Sequence, residues 1–209
     1  MSFRIFSLVV IFFSYLLSAL LYSALPNPIS IHWDLNSNPD GTLPKFMGTL
    51  LLPILMSLIF LFLSIVPKLD PLSKNFASFE FDYFLFVFVL LCFLLYVHVL
   101  VLLWNLGLSF NFIQALAPAF SLLFLLLGFF ISKTKRNFFI GIRTPWTLSS
   151  DDIWAKTHSF ASGLFILSAP LYLLALLFPN VFILIVPPII CSLVSVGYSY
   201  LLSRKAAGQ

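Results

Sequence analysis

Charged residues are scarce in this sequence. Asp, Glu, Lys and Arg make up 9% of the 209 residues, whereas an ordinary soluble domain carries roughly a quarter. Hydrophobic residues reach 61%, and 26 residues are Phe. The net charge of +4 is spread over short connections, so it does not indicate a nucleic-acid partner. This composition excludes a soluble globular domain and predicts an integral membrane protein.

Cysteine and histidine are also rare. Cys92 and Cys191 both lie in apolar runs, where we expect small buried side chains rather than a disulfide or a metal pair. His32, His98 and His158 lie in separate segments without metal-site spacing. A nucleophile elbow and a phosphate-binding loop are missing as well. We therefore predict no cofactor and no metal, and we favour a protein that is not an enzyme.

Six apolar runs are long enough to cross a bilayer as helices. In lipid, a helix is the only state in which a single segment satisfies its own backbone hydrogen bonds. The sequence predicts an all-α integral membrane protein of the cell membrane, with a single membrane domain over residues 1–209. The predicted transmembrane helices are 3–25, 46–66, 81–104, 114–132, 159–178 and 181–203.

The lysines and arginines predict the orientation. All of them except Lys45 fall on one side of the predicted spans. Positive residues accumulate on the cytoplasmic side, so we expect both termini and the 133–158 loop in the cytoplasm. The 26–45 loop then lies outside.

The outer loop 26–45 is predicted to be ordered. Residues 29–33 alternate apolar and polar side chains, which favours extended backbone. Asn36, Asn38-Pro39 and Asp40-Gly41 are typical of tight turns. One interpretation is an interfacial cap in which Asp40 pairs with Lys45 and His32 is satisfied by a local partner. The other is a recognition surface for an extracellular ligand, with these contact groups: His32, Trp33, Asp40 and Lys45.

The loop 133–158 is the most informative segment. Ser149 to Asp152 has the pattern of a helix start, with a serine cap and acidic residues in the first turn. That helix would carry Trp154 and His158 on one face and continue into span 5. We expect Gly141 to supply a turn that few other residues allow. Anionic lipid headgroups explain Lys133, Lys135 and Arg136, whereas a specific fold or a docking site for a partner explains the other residues better.

His98 is the ionisable residue placed well inside a predicted span, near its outer end. Such groups are functional candidates by default. His98 either approaches His32 or Asp40, as part of the ligand site, or bonds a neighbouring helix as a neutral imidazole.

Two stretches carry a resemblance to a known family. LPNPISIHWDLNSNPDGTLPK (25–45) and KRNFFIGIRTPWTLSSDDIWAKTH (135–158) resemble, in order, the two signatures of the SdpI family of small membrane proteins. Asn38 stands where that family usually has glycine. The resemblance implies functional positions outside at His32, Pro39, Asp40 and Lys45. Inside, it implies these positions: Asn137, Gly141, Arg143, Thr144, Trp146, Thr147, Trp154 and His158.

The resemblance also implies a function. It suggests an immunity or sensor protein whose partners are the lipid bilayer, a secreted peptide toxin and a cytoplasmic transcriptional regulator. Two other hypotheses remain open. One is a transporter or exporter with its path along the proline-containing spans. The other is a membrane-embedded metal-dependent hydrolase that uses His32, His98 and Asp40.

Overall fold

The computed structural model of the protein describes residues 2–208, without the side chain of Ser2. Within that part of the chain, six helices have the length and composition to cross a membrane, which confirms the predicted six-helix membrane protein. These segments are Phe3–Ala24, Lys45–Leu69, Glu80–Asn105, Phe112–Ile131, Asp151–Leu176 and Phe182–Ala206.

Eight α-helices, six long and two short, are present in residues 2–208. They are α1 (Ser2–Leu21), α2 (Lys45–Leu69), α3 (Ser73–Phe76), α4 (Glu80–Asn105), α5 (Phe112–Ile131), α6 (Pro145–Ser149), α7 (Asp151–Ser168) and α8 (Phe182–Ala206). A 3-10 turn, Tyr22–Ala24, follows α1. A longer 3-10 segment, Ala169–Leu176, extends α7 from the position where Pro170 removes a backbone donor.

The loop between α1 and α2 is a two-stranded antiparallel hairpin, formed by β1 (Ile29–Trp33) and β2 (Pro39–Leu43). The extended stretch at β1 and the turn formers Asn36 and Asn38 were predicted correctly, but the predicted turn at Asp40-Gly41 is wrong, since these residues belong to β2. The chain reverses at residues 34–38 instead. The Asp34 carboxylate accepts the backbone N–H groups of Asn36 and Asn38, both at 2.8 Å, so one Asx-type turn closes the hairpin. Below, "the hairpin" means residues 29–43.

The helices pack in two groups. Helix α4 lies against α1 and α2, helix α7 lies against α5 and α8, and the contact between α4 and α5 joins the groups. Gly128 permits the close approach of α5 to α7, because a Cβ there would lie 3.0 Å from the Ile166 nitrogen and 3.1 Å from the Ser162 carbonyl oxygen. The hairpin covers one end of this bundle. The segment 133–158, below called the motif loop, lies at the other end.

Candidate functional site

The hairpin rests on an apolar base. Ile29 is fully buried and clusters with Leu25 and Leu102. Gly48 of α2 lies directly beneath, since a Cβ there would be 3.0 Å from the Ile29 Cβ. The absence of a side chain at Gly48 therefore lets β1 pack against the first turn of α2.

Asn105, at the end of α4, holds the hairpin by its backbone. Its Oδ1 accepts the Ser30 N–H at 2.8 Å, and its Nδ2 donates to the Ser30 carbonyl oxygen at 2.9 Å. These bonds satisfy the groups of β1 that face away from β2. The sequence analysis assigned no role to Asn105, although a polar residue ending an apolar helix is a usable signal.

Replacing Asn105 by alanine is expected to loosen the hairpin without unfolding the bundle. Two side-chain hydrogen bonds to the hairpin, each worth about 1 kcal/mol, would be lost. We expect amide hydrogen exchange in β1 to accelerate roughly thirtyfold, since about 1.4 kcal/mol corresponds to a factor of ten. The control is Asn36→Ala, because Asn36 is an exposed turn residue that uses only its backbone N–H toward Asp34. Equal exchange in the two variants would contradict this role of Asn105.

The polar contacts of the hairpin agree with the predicted cap in giving His32 a local partner, but they differ from it at Lys45. His32 Nδ1 pairs with the Asp40 carboxylate at 2.5 Å across the two strands, and both side chains are exposed, by 69% and 47%. Lys45 does not pair with Asp40. Its ammonium donates to the Leu25 carbonyl oxygen at 2.6 Å and lies 4.8 Å from the centre of the Tyr22 ring. The Asp40–Lys45 pairing is therefore wrong, because the lysine instead satisfies carbonyls left open at the end of α1.

Asp34 organises the turn electrostatically. The backbone N–H of Asn38, followed by its side-chain amide at 3.2 Å, stabilises the carboxylate, so the pKa of Asp34 lies below its ordinary value. The turn thus keeps a negative charge at the tip of the hairpin near neutral pH.

Trp33 points toward the helices. Its ring stacks on Phe112 of α5, with centroids 3.8 Å apart, and meets Trp104 edge to face at 5.8 Å. Such aromatic pairs stabilise beyond the area that they bury. Trp33 therefore ties the hairpin to α4 and α5.

His98 has a different environment from the predicted ligand site. It is buried, and its Nε2 lies 2.9 Å from the Ser18 hydroxyl of α1. Ser18 also lies within hydrogen-bond distance of the Thr49 carbonyl oxygen of α2, so this contact joins three helices. The predicted approach of His98 to His32 or Asp40 is wrong, and the alternative of a ring bonded to a neighbouring helix is correct. Among residues 2–208, His, Cys, Asp and Glu side chains form no group of three that could hold a metal.

In the motif loop, Asn137 is fully buried and bonds only to backbone. Its Oδ1 accepts the N–H groups of Phe139 and Ile140, and its Nδ2 donates to the carbonyls of Lys135 and Ile140. One amide side chain thus satisfies four backbone groups in a sharp bend. Asn137 organises the loop.

Gly141, Trp154 and His158 form one unit. Gly141 has φ +110, as the sequence predicted for a turn residue, and lies against the His158 ring. The Trp154 and His158 rings stack with centroids 4.0 Å apart, which confirms that these two residues share a face of α7. His158 Nε2 accepts the Ile142 N–H at 3.0 Å, so its Nδ1–H donates to the Trp154 carbonyl at 2.8 Å. The indole of Trp154 donates to the Thr134 carbonyl.

Two helix caps complete the motif loop. Thr144 and Thr147 form a reciprocal capping box at the start of α6. Thr147 also donates to the Ile142 carbonyl at 2.7 Å. The Ser150 hydroxyl accepts the Ile153 N–H and caps α7, as the Ser-Ser-Asp-Asp pattern predicted. Thr144 and Thr147 therefore act on local backbone, and the Thr144 hydroxyl also lies 3.2 Å from the Ser199 hydroxyl of α8.

The connection between α2 and α4 clasps the motif loop. Asp70, 3% exposed, accepts the Phe138 N–H and the Leu72 N–H, both at 2.7 Å. Asn75 donates to the Arg136 carbonyl at 2.7 Å. Sequence reasoning missed both residues, since nothing in their local pattern indicates a partner more than 60 residues away.

Arg136 departs from its predicted headgroup role. Its Nη1 donates to the Leu148 carbonyl at 2.9 Å, and its Nε lies 2.9 Å from an Asp151 carboxylate oxygen. The guanidinium thus links α6 to the start of α7. Lys133 and Lys135 are exposed, and their headgroup role stays a prediction.

Two residues of the second stretch leave surface for a partner. Arg143 is exposed and uses one N–H, to the Phe138 carbonyl at 2.7 Å. Trp146 is half-buried and meets Tyr200 of α8 edge to face at 5.1 Å. The other predicted positions of this stretch are buried or lie against His158.

These features define a multi-pass membrane protein with a braced hairpin at one end and a hydrogen-bonded motif loop at the other. Residues 133–200 match the SdpI/YfhL protein family, and residues 9–57 match a domain of unknown function (DUF1648). The predicted resemblance to the SdpI family is confirmed by this match, which contains the second of the two stretches, whereas the first stretch lies in the 9–57 match.

Two relatives from Bacillus subtilis (strain 168) are similar to this chain. One is the immunity protein SdpI, 26% identical over 209 residues, which covers 99% of this chain and 98% of the relative. The other is the uncharacterized membrane protein YbgB, 42% identical over 43 residues, which covers 21% of this chain and 47% of the relative. No solved structure gives a significant match.

Proposed function

We propose that this protein is an immunity and sensor protein that recognises a secreted toxic peptide with its hairpin. The full-length similarity to a protein named as an immunity protein supports this role. Lys45 is the only lysine or arginine at the hairpin end, and the others lie toward the opposite end. This asymmetry of positive charge supports an outward-facing hairpin.

The observation that carries the proposal is the contrast within the hairpin. Its backbone is held from below by Asn105, by buried Ile29 and by the stacked Trp33. Its His32–Asp40 pair nevertheless stays exposed. A rigid element that presents polar groups loses little conformational entropy on binding, which is the basis of preorganised recognition.

The opposite end of the molecule is proposed to signal to a cytoplasmic regulator. Arg143 and Trp146 are the contact groups, because Arg143 is exposed and Trp146 is half-buried beside Tyr200. Arginine and tryptophan are the residue types that dominate binding energy at protein interfaces.

Asp40→Ala is expected to abolish protection of a host challenged with membrane-active peptide toxins. The substitution removes the exposed carboxylate and releases His32, while no buried group loses a partner. Arg143→Ala is expected to keep protection, since it lies at the other end of the bundle. Survival curves with wild type, both variants and Asn36→Ala as the hairpin control measure this, with membrane levels checked by immunoblot. Full protection by Asp40→Ala at wild-type level would refute recognition by the hairpin.

A further inference from the structure

A cavity of about 290 Å³ lies beneath the hairpin. Trp33 and Ser37 of the hairpin contribute to its lining, together with Leu52 of α2, Val101 of α4, Leu116 of α5 and Leu184 of α8. Its wall is almost wholly aliphatic and aromatic. Its volume lies at the lower end of the range of about 300–1,000 Å³ that is typical of small-molecule sites.

Two residues of the cavity lining each carry a buried polar atom. Within residues 2–208, neither the Trp33 indole N–H nor the Ser37 hydroxyl has a hydrogen-bond partner. Ser37 is 5% exposed and adopts φ +64, in the turn closed by Asp34. A buried donor without a partner costs about 1–3 kcal/mol, and such groups are rare in native proteins. The indole can only donate, so it lacks an acceptor, and the Ser37 hydroxyl, which can donate or accept, is able to donate to the same acceptor.

We propose that this cavity receives one aliphatic side chain of a peptide, and that a peptide carbonyl accepts hydrogen bonds from Trp33 and Ser37. This inference rests on the proposed function and names the part of the toxin that the hairpin end would bind. The apolar wall requires an apolar group, and the two donors require an acceptor close to it. An aliphatic amino-acid residue supplies both within a few bonds.

A phospholipid fits these features less well. Its two long acyl chains far exceed the cavity. The ester carbonyls that could accept from Trp33 lie at the glycerol, where both acyl chains and a bulky phosphate headgroup are attached. The hairpin above the cavity also brings His32 and Asp34 to the lining, and these side chains suit the polar backbone of a peptide better than an acyl chain.

The test follows the four tryptophans of the intact protein by ¹⁹F NMR after 5-fluorotryptophan labelling. The Trp33 resonance is assigned by its loss in Trp33→Phe. The probe is N-acetyl-leucyl-leucine methylamide, titrated into the protein in lipid nanodiscs. We expect a saturable shift of the Trp33 resonance and little change at Trp154, which lies in the motif loop.

Cavity filling supplies the matched variants. Leu52→Phe places extra volume in the cavity, whereas Leu55→Phe makes the same change on an exposed position of the same helix. We expect Leu52→Phe to weaken the apparent affinity at least about tenfold, and Leu55→Phe to leave it unchanged. Leu116→Phe fills the same cavity from α5 and replaces Leu52→Phe if that variant shifts the Trp154 resonance.

Three results would overturn the inference: no saturable shift in the wild type, equal affinities in the filled and control variants, or the same shift with dihexanoyl phosphatidylcholine in place of the peptide. The cavity and the immunity role fail separately. If protection depends on Asp40 but the peptide gives no Trp33 shift, only the inference about the cavity is refuted. A Trp33 shift that Leu52→Phe weakens, in a protein that protects against no peptide, would refute only the immunity role.

Discussion

Replacing Gly141 by alanine is expected to lower the free energy of unfolding by about 3 kcal/mol. A residue with a side chain at φ +110 costs about 1–3 kcal/mol of backbone strain. The new Cβ would also overlap His158 Nε2 and displace the ring from the Ile142 N–H, a bond worth about 1 kcal/mol. Because His158 stacks on Trp154, the displacement would extend to the indole and its bond to Thr134.

Thermal unfolding in detergent, followed by tryptophan fluorescence, measures this effect. For a chain of this length we expect the melting temperature to fall by about 6–12 °C. Gly163→Ala is the matched control, since Gly163 lies in helix α7 and a Cβ there meets nothing within 4 Å. That substitution removes a poor helix former and should leave the melting temperature equal or slightly higher. Equal melting of both variants would show that Gly141 imposes no conformational requirement.

Asp70→Ala is expected to release the motif loop from the connection between α2 and α4. Two backbone N–H groups would lose a buried carboxylate at 2.7 Å each. Hydrogen bonds to a carboxylate contribute about 1.5–3 kcal/mol, so the local cost is about 3 kcal/mol or more. The six membrane helices should persist, because their apolar packing does not involve Asp70.

Limited trypsin digestion in detergent reports this local opening, since Lys135, Arg136 and Arg143 flank Phe138. When opening is fast relative to cleavage, the cleavage rate follows the population of the open form, so we expect a rise of about a hundredfold. Asp152→Ala is the control, because Asp152 makes an exposed ion pair with Lys156, and such pairs contribute at most about 1 kcal/mol. An unchanged cleavage rate in Asp70→Ala would refute the role of Asp70 in holding the motif loop.

The features predicted correctly from the sequence depend on local pattern. The six spans follow from apolar length, the cap at Ser150 from the residues after it, and the shared face of Trp154 and His158 from their spacing of four. Gly141 was recognised because glycine alone tolerates positive φ without strain. Each of these inferences needed only neighbours within one or two turns.

The features that were missed depend on residues distant in sequence. Asp40-Gly41 has a turn composition, yet pairing with β1 and the His32 contact draw it into a strand. Lys45 had a carboxylate nearby in sequence, but the open carbonyls at the end of α1 compete for its ammonium. Asp70 and Asn105 bond backbone groups 68 and 75 residues away. The cavity under the hairpin depends on four helices meeting, which no local pattern encodes.

The internal hydrogen bonds of the motif loop have a consequence for genetics. The polar atoms of Asn137, Thr147 and His158 bond within the loop itself. Substitutions there would therefore appear in a loss-of-function screen because they lower the amount of folded protein. A destabilisation of 1–2 kcal/mol is enough to change cellular protein levels several-fold. Separation-of-function alleles, which accumulate normally in the membrane and lose only the proposed signalling, are expected at Arg143 and Trp146.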